Sequence, residues 1–305
     1  MAFVWQLSII QTHEKTLISG VIVRGRSPRA FTSRTALGNA WMIFSSYFYR
    51  PYAHQVIAIR SGDETLEAQT DSKGGFHIES EESLPSGIQI IAGPDRKVLR
   101  VNRGLKKLHR LQERGLSVIS DIDDTILVSY TGKRIQSIFN TLFRPYQKRK
   151  AVLFTRSLFE SFRQENPDHF YVSRSEYNLF PVIADFIEHN RLPKGPILLT
   201  PFRRYRELLT EKKDPDFKLN SIEYIIRSSR EKEFILVGDD SQQDIEIYSR
   251  ISERFKEQIR AVYIRQTDTK KRMDETDLWE TLTKQAPIAV YFGKHDVFED
   301  KNDTH

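Results

Sequence analysis

After Gly115 the chain alternates strand-length apolar runs with helix-length stretches, and this alternation constrains the fold more than any other feature. Such alternation is typical of a parallel sheet whose strands are joined by crossover helices. Six strands are predicted, at 116–120, 170–172, 197–200, 234–237, 261–265 and 288–292. Helices are predicted at 178–190, 216–230, 241–256 and 274–284. The pattern therefore predicts an α/β, Rossmann-like domain over residues 116–293, with helices on both faces of the sheet.

Residues 1–102 show a different pattern, with short β-rich runs at 16–24, 55–60, 65–69, 76–79 and 88–92. The segment 70–75 contains two glycines that tolerate positive φ, which predicts a hairpin joining 65–69 to 76–79. Strands at this spacing predict a small β-sandwich domain. The aromatic-rich segment 33–50 fits either a helix or a loop over the sheet. The basic stretch 103–115 is expected to form a helical linker, and 294–305 a polar tail.

Composition excludes several classes of protein. Hydrophobic residues make up 39% of 305 residues, enough for a sizeable core, yet the longest apolar runs are only of strand length. A membrane-spanning helix is therefore not expected. The absence of cysteine excludes disulfides, thiol nucleophiles and cysteine-bound zinc. The first ten residues lack the basic region and cleavage site of a signal peptide, so we expect a cytoplasmic protein.

Positive charge is concentrated in the first part of the chain. Residues 1–115 contain 16 Lys and Arg against 10 Asp and Glu, whereas the remainder is neutral. This surplus is compatible with an anionic surface as a partner. We expect no nucleic-acid partner, because the sequence lacks a zinc finger, a basic zipper and an RNP-type aromatic motif.

Two acidic clusters follow predicted strands. Three aspartates occur within residues 121–124, and Asp239, Asp240 and Asp244 follow the strand at 234–237. Clustered carboxylates repel one another unless a cation or a proton neutralises them, and their oxygens are ligands that Mg²⁺ prefers. Turn formation or helix capping explains a single aspartate, such as Asp244 in a first helical turn. It does not explain both clusters.

Two further residues complete a candidate site. Ser173 follows the strand at 170–172, and Lys218 precedes Asp239 by 21 residues, which leaves room for one helix and one strand. Taken singly, an N-cap serine and a solvated lysine are the simpler interpretations. Together with the carboxylates they indicate phosphoryl transfer, in which one carboxylate attacks phosphorus and a second carboxylate, two residues further on, transfers protons. A metal and a lysine would offset the charge of the transferred group.

These motifs resemble the phosphatidate phosphatase catalytic-domain family, within the haloacid dehalogenase superfamily. The resemblance covers residues 116–265 and includes the runs Val118-Ile119-Ser120-Asp121-Ile122-Asp123-Asp124-Thr125, Phe170-Tyr171-Val172-Ser173 and Val237-Gly238-Asp239-Asp240-Ser241-Gln242-Gln243-Asp244. The segment 70–76 is similar to transthyretin-like modules, which precede the catalytic domain in bacterial members of the family.

The resemblance implies a role for each residue. Asp121 would be the nucleophile that forms an aspartyl-phosphate, and Asp123 the general acid and base. Ser173 and Lys218 would hold the phosphoryl group. Mg²⁺ would be bound by Asp121, the backbone carbonyl of Asp123, and Asp239, with Asp240 and Asp244 in support. Thr125, Arg174 and Asn178, which follow the first two motifs, are expected to contact the substrate.

The segment 126–169 is expected to form a flap over the site. Between Asp124 and Glu160 it holds seven basic residues, including Arg156, interleaved with aromatic and aliphatic residues, and no acidic one. This composition suits an anionic lipid headgroup and peripheral membrane binding. A helix packed on the domain with solvated charges explains it equally well. The leading hypothesis is a Mg²⁺-dependent phosphatidate phosphatase. The alternatives are a phosphatase for a soluble or protein-borne phosphate, and a catalytically retired membrane-binding or scaffold protein.

Overall fold

The fold is taken from a computed structural model, which describes residues 1–12, 15–28, 35–81, 87–101, 106–123, 125–126, 152–201, 214–229, 232–240, 243–267, 274–293 and 296. The chain divides into two compact units. The first consists of Met1–Gln112, Ser175–Asp185 and Leu199–Lys213, and the second of Glu113–Arg174, Phe186–Leu198 and Asp214–His305. The predicted domain limits at residues 102, 115 and 293 stay a prediction.

The first unit contains two β-sheets. One has the strand order β10-β1-β2-β3, with β6 paired to β2 and β9 paired to β1, and the other has the order β5-β4-β7-β8. A shared core joins Ile18 and Ile22 of the first sheet to Ile57, Ile59 and Ile90 of the second. The bounds of the strands are β1 Ala2–Gln11, β2 Thr16–Arg24, β3 Arg50–Pro51, β4 Val56–Ser61, β5 Glu64–Gln69, β6 Gly75–Ser80, β7 Gln89–Ala92, β8 Lys97–Val98, β9 Arg100–Val101 and β10 Lys106–Arg110.

The predicted hairpin between 65–69 and 76–79 is wrong, although both strands exist. β5 pairs with β4, whereas β6 pairs with β2 in the other sheet. The turn between them is tied to β2, because the carbonyl of Gly74 accepts a hydrogen bond from Ile22 N at 2.8 Å. Gly74 has φ of +77°, and a Cβ there would lie 2.3 Å from Ile22 O. The glycines therefore permit a crossing between sheets rather than a hairpin.

Three other segments add to or correct the sequence-based picture. Residues 103–115 were expected to be helical, but Lys106–Arg110 form β10, which runs parallel to β1. β1 itself was not predicted; seven of its ten residues are buried in a row, so it lacks the alternation that marks a half-exposed strand. Of the two alternatives for 33–50, the helix is correct, and α1 spans Ala36–Ser46.

The second unit contains most of a six-stranded sheet with the order β13-β12-β11-β14-β15-β16. β11 runs parallel to β12 and β14, and β15 and β16 continue the sheet in parallel. All six predicted strands are confirmed. Their bounds are β11 Gly115–Ser120, β12 Asp168–Glu176, β13 Ile197–Thr200, β14 Lys232–Asp239, β15 Ile259–Arg265 and β16 Ala289–Phe292.

The four predicted helices of this part are also confirmed, and another helix precedes them. The helices are α2 Leu153–Ser161, α3 Phe180–His189, α4 Phe217–Arg227, α5 Asp244–Arg254 and α6 Asp277–Gln285. Trp279 of α6 contacts Tyr291, whereas Phe154 of α2 stacks on Phe292. Successive strand residues face opposite sides of a sheet, so helices cover both faces.

The strand order reverses between β11 and β14. In open parallel sheets, ligands bind at the carboxyl ends of the strands beside such a reversal. The acidic segments at 121–123 and 239–244 follow those two strands, so the topology places both of them at that position.

Most of the predicted flap lies outside the described residues, since 127–151 are not among them. In the remaining part, Phe154, Leu158 and Phe159 are buried on α2, whereas Arg156 is exposed. This part therefore matches the packed-helix alternative. The polar tail, apart from Asp296, also lies outside the described residues. No helix in the described ranges is long and apolar enough to cross a membrane.

Candidate active site

Asp121 is held by its own backbone at the end of β11. Its amide donates a hydrogen bond to the carbonyl of Val237 at 2.8 Å, which extends the pairing of β11 with β14 by one residue. Its carbonyl accepts a hydrogen bond from Ser120 Oγ at 2.7 Å. The side chain is almost fully buried. A carboxylate in this position has a fixed direction before any ligand arrives.

Asp239 and Asp244 come from the end of β14 and the start of α5. Both are fully buried, and Asp244 Oδ2 accepts a hydrogen bond from Asp239 N at 3.3 Å. Gly238 makes this approach possible, because a Cβ there would lie 2.5 Å from Asp244 Oδ2. The backbone therefore needs glycine at 238 for packing rather than for an unusual φ.

Lys218 joins the two acidic segments. Its Nζ donates to Asp121 Oδ1 at 2.7 Å and to Asp244 Oδ1 at 2.5 Å, and all three side chains are about 1% exposed. The solvated-lysine interpretation is thus excluded. The lysine offsets only one of the charges of Asp121, Asp239 and Asp244, which leaves a formal charge of −2 if all three are ionised.

The remaining charge is reflected in the pKa of Asp121. Burial is the largest influence and raises this pKa, and the neighbouring Asp244 and Asp123 raise it as well. Lys218 lowers it by a smaller amount, so the pKa is about 8. For Lys218, burial favours the neutral form, but Asp121 and Asp244 outweigh it and raise the pKa well above its usual value. The cluster therefore carries more negative charge than its surroundings stabilise, which is the condition that a bound cation relieves.

Asp121, Asp239 and Asp244 each offer one oxygen, and these oxygens lie within 4.8 Å of one another. An all-oxygen set fits a hard divalent cation such as Mg²⁺ or Ca²⁺ better than a soft one. These three residues could therefore hold the metal that the sequence predicted.

Asp123, Ser173 and Thr125 surround this cluster. Ser173 Oγ donates to Asp123 Oδ2 at 2.8 Å, and both residues are buried. Thr125 Oγ1 lies 3.3 Å from Asp121 Oδ2 and 3.4 Å from Asp239 Oδ2. Ser173 thus lies beside Asp123, and the hydroxyl of Thr125 contacts the predicted nucleophile. That Ser173 holds a phosphoryl group stays a prediction.

Asp240 makes a different set of contacts. Its Oδ1 accepts hydrogen bonds from Thr267 N at 2.9 Å and Thr267 Oγ1 at 2.6 Å, and its Oδ2 accepts one from Tyr291 OH at 2.6 Å. With both oxygens engaged in this way, Asp240 braces the ends of β14, β15 and β16. It is not in the cluster that could hold a metal.

The two remaining predicted substrate contacts lie elsewhere. Arg174 Nη1 donates to Gln243 Oε1 at 3.2 Å, one residue before Asp244. Asn178 belongs to the first unit, where its Nδ2 donates to Ser46 Oγ at 3.1 Å in a buried contact. Their predicted contact with substrate stays a prediction.

Sequence reasoning missed supporting residues. Tyr248 OH donates to Val237 O at 3.0 Å, and its ring centroid lies 5.8 Å from Lys218 Nζ. Its spacing of four from Asp244 on a helix was a usable signal, since such residues share a face. No local signal marks Thr267 or Tyr291, which reach Asp240 only through the sheet.

A groove of about 1280 Å³ lies away from these residues. It is lined by α2, by the loop Arg191–Lys194 and by His169 near the start of β12, which is the opposite edge of the sheet from the carboxylates. It does not include the clustered carboxylates, so the candidate active site is the acidic cluster and not this groove.

Comparison with known proteins yields one family and two relatives. Residues 116–266 match the family model described as the catalytic domain of phosphatidate phosphatase APP1. Phosphatidate phosphatase APP1 of Saccharomyces cerevisiae is 30% identical over 223 residues, covering 68% of this chain and 36% of the yeast protein. An uncharacterised protein of Schizosaccharomyces pombe is 24% identical over 204 residues, covering 67% of this chain and 32% of its own length. The chain thus spans about a third of the length of the curated relatives that it matches.

Proposed function

Because residues 116–266 belong to the phosphatidate phosphatase catalytic-domain family, we propose that this chain is a Mg²⁺-dependent phosphatase. We propose phosphatidate as its substrate and diacylglycerol and phosphate as its products. The proposal includes the haloacid dehalogenase type of catalytic domain, in which an aspartate is the nucleophile. It also places the enzyme in the cytoplasm, peripherally bound to a membrane.

The observation that carries this proposal is the buried group formed by Asp121, Asp239, Asp244 and Lys218. Burying several carboxylates next to one another is costly unless a cation offsets them. A protein without catalytic function has no physical reason to maintain this arrangement. The cluster therefore favours an active enzyme over a retired scaffold.

The chemistry assigns distinct roles to the two aspartates after β11. An oxygen of Asp121 bonds to phosphorus as the bond from phosphorus to the ester oxygen breaks, and Asp123 donates a proton to that oxygen. Asp123 then takes a proton from water, whose oxygen attacks the aspartyl-phosphate. This step releases inorganic phosphate and restores the Asp121 carboxylate.

Ser173 and Lys218 position the reacting groups. Ser173, which donates to Asp123 Oδ2, orients the carboxyl that transfers protons. Lys218, which contacts Asp121 Oδ1, lies where its charge can stabilise the phosphoryl oxygens as bonds change. Mg²⁺ at Asp121, Asp239 and Asp244, with the carbonyl of Asp123, would neutralise the transferred phosphoryl group. Asp240 would support this site through Thr267 and Tyr291 rather than bind the metal.

Three observations support the choice of phosphatidate. The yeast relative is named a phosphatidate phosphatase. The segment between Asp124 and Glu160 combines seven basic residues with aromatic ones, a composition that is compatible with an anionic headgroup. Arg174, which donates a hydrogen bond to Gln243, adds a positive charge close to the start of α5.

The test is phosphate release by wild type, Asp121→Asn and the control Asp95→Asn, an exposed aspartate in the first unit. Substrates are phosphatidate in mixed micelles, soluble phosphomonoesters, a phosphopeptide and p-nitrophenyl phosphate, each with Mg²⁺ and with EDTA. We expect Mg²⁺-dependent turnover that Asp121→Asn lowers about a thousandfold and Asp95→Asn leaves unchanged. Faster turnover of a soluble phosphomonoester or of the phosphopeptide than of phosphatidate would refute phosphatidate as the substrate. No turnover by folded, Mg²⁺-supplied wild type would refute the enzyme.

A further inference from the structure

The outer face of α1 and the turn after it expose a row of large apolar side chains, which we name the α1 stripe: Leu37, Trp41 and Phe44 on the helix, and Phe48 two residues beyond its end. Their exposed fractions are 85%, 70%, 47% and 58%. One interpretation of segment 33–50 placed its aromatic residues over the sheet. The four side chains of the stripe instead point away from the core. Contiguous exposed apolar surface is uncommon in folded proteins and marks interaction sites.

The spacing of the stripe explains why its members form one surface. Leu37, Trp41 and Phe44 are four and three residues apart, which places them on one side of α1. Phe48 follows in the turn after the helix. The ring centroids of Trp41 and Phe44 are 6.2 Å apart, and those of Phe44 and Phe48 are 5.0 Å apart. Trp41, Phe44 and Phe48 therefore form a continuous aromatic ridge.

The opposite face of α1 is anchored inside the first unit. Ile43 and Asn39 are each 1% exposed, and the buried Ser46 accepts a hydrogen bond from Asn178. Thr35 caps the helix by accepting a hydrogen bond from Gly38 N. Because the inner face is fixed, the stripe is held outward by the fold.

Positive charge borders the C-terminal end of the stripe. Arg50, two residues beyond Phe48, is the register partner of Arg24, and both are exposed. Tyr49 OH donates to the carbonyl of Arg26, which is also exposed. Between Glu14 and Asp63 the sequence contains seven Lys and Arg and no acidic residue. An anionic partner therefore meets attraction and no like-charge repulsion from this segment.

We propose that the α1 stripe inserts into the interface of an anionic lipid bilayer while the bordering arginines contact lipid phosphates. Trp and Phe on one side of a helix, with basic residues and no acidic ones in the same segment of the sequence, are the composition of interfacial helices. This proposal extends the proposed function. It depends on that function in one respect: a phosphatase whose substrate is a membrane lipid has a reason to bind a membrane.

The experiment measures co-sedimentation of the full chain with phosphatidylcholine vesicles that contain phosphatidylglycerol. Neither lipid is a phosphomonoester, so binding is read without turnover. Trp41→Ser/Phe44→Ser removes the centre of the stripe. Tyr224→Ser/Leu278→Ser removes two exposed apolar side chains from helices of the second unit and is the matched control.

We expect the first double variant to lower vesicle partitioning about tenfold or more, by losing apolar contact with the bilayer. The control should bind like wild type, and binding should weaken in pure phosphatidylcholine and at high salt. Brominated lipids should quench the fluorescence of bound wild type. Trp41→Phe should still bind but lose most of that quenching, because Trp5 is buried and Trp279, which is half-buried on α6, is not part of the stripe.

Two vesicle results would overturn the proposal: no binding of the folded chain to anionic vesicles, or equal binding by the stripe variant. A third such result would be a wild-type dimer in solution that anionic vesicles do not dissociate but that the stripe substitutions abolish. Circular dichroism establishes folding of each variant. Hydrolysis of p-nitrophenyl phosphate by wild type separates the two proposals. Activity without vesicle binding would overturn only the proposal that the α1 stripe binds membranes. Vesicle binding without activity would support that proposal and refute the proposed enzymatic function.

Discussion

Lowering the pH should destabilise the second unit through His169. This side chain is 5% exposed, and its ring packs edge-on against Phe159 at 5.0 Å. Burial lowers its pKa from 6.5 to about 4, so the folded protein holds the imidazole neutral. The unfolded chain binds a proton at a higher pH than the folded chain does. The stability that this group contributes is therefore complete above the unfolded pKa and declines as the pH falls towards the folded one.

The size of the effect follows from the two pKa values. With about 4 in the folded protein and about 6.5 in the unfolded chain, protonation of His169 alone should lower the free energy of unfolding by about 2 kcal/mol between about pH 8 and about pH 5. Asp121, whose pKa burial raises to about 8, takes up its proton in the folded state over this range and acts in the opposite direction. The contribution of His169 is therefore measured as a difference between proteins. His169→Gln, which stays neutral at every pH, should remove this part of the dependence.

Urea unfolding at several pH values measures this dependence, followed by circular dichroism and by tryptophan fluorescence, to which Trp279 contributes from the second unit. His189→Gln is the matched control, since His189 is exposed at the end of α3. We expect the change from about pH 8 to about pH 5 to be about 2 kcal/mol less destabilising in His169→Gln than in wild type and His189→Gln. Equal changes in all three proteins would show that folding does not lower the pKa of His169, and would refute the argument.

Two substitutions test the packing of the acidic cluster. Gly238→Ala places a Cβ 2.5 Å from Asp244 Oδ2, so we expect Mg²⁺ affinity by calorimetry to fall about tenfold, and an unchanged affinity would contradict the packing argument. Lys218→Met removes the partner of two buried carboxylates, so we expect phosphate release to fall about a hundredfold or more. The same variant should lose about 3 kcal/mol of unfolding free energy, and Mg²⁺ should raise its melting temperature more than that of wild type. A variant as stable as wild type without metal would argue against buried, ionised carboxylates.

Local pattern was sufficient for the six strands and the four helices predicted in residues 116–293, although it did not separate α2 from the predicted flap. Their apolar runs are buried on both faces of the sheet and bounded by helices of ordinary length, so hydrophobic periodicity specifies them. It was insufficient where pairing decides the structure. Lys106–Arg110 resemble a basic helix by composition, but β1 offers them an edge with which to pair. The glycine turn at 74–75 is local, whereas the sheet that β6 joins depends on β2.

The sequence by itself determined which residues are candidates for the site, because carboxylates clustered directly after buried strands repel one another unless a cation or a proton neutralises them. Asp121, Asp123 and Asp239 were identified in this way and Lys218 by its distance in sequence from Asp239, and their catalytic roles stay predictions. Only the tertiary structure decided what each of them contacts. Lys218 bridges Asp121 and Asp244, whereas Asp240 is bound by Thr267 and Tyr291. It also decided that the α1 stripe faces outward. Distances between residues far apart in sequence arise from packing and strand order, and a local pattern contains no information about them.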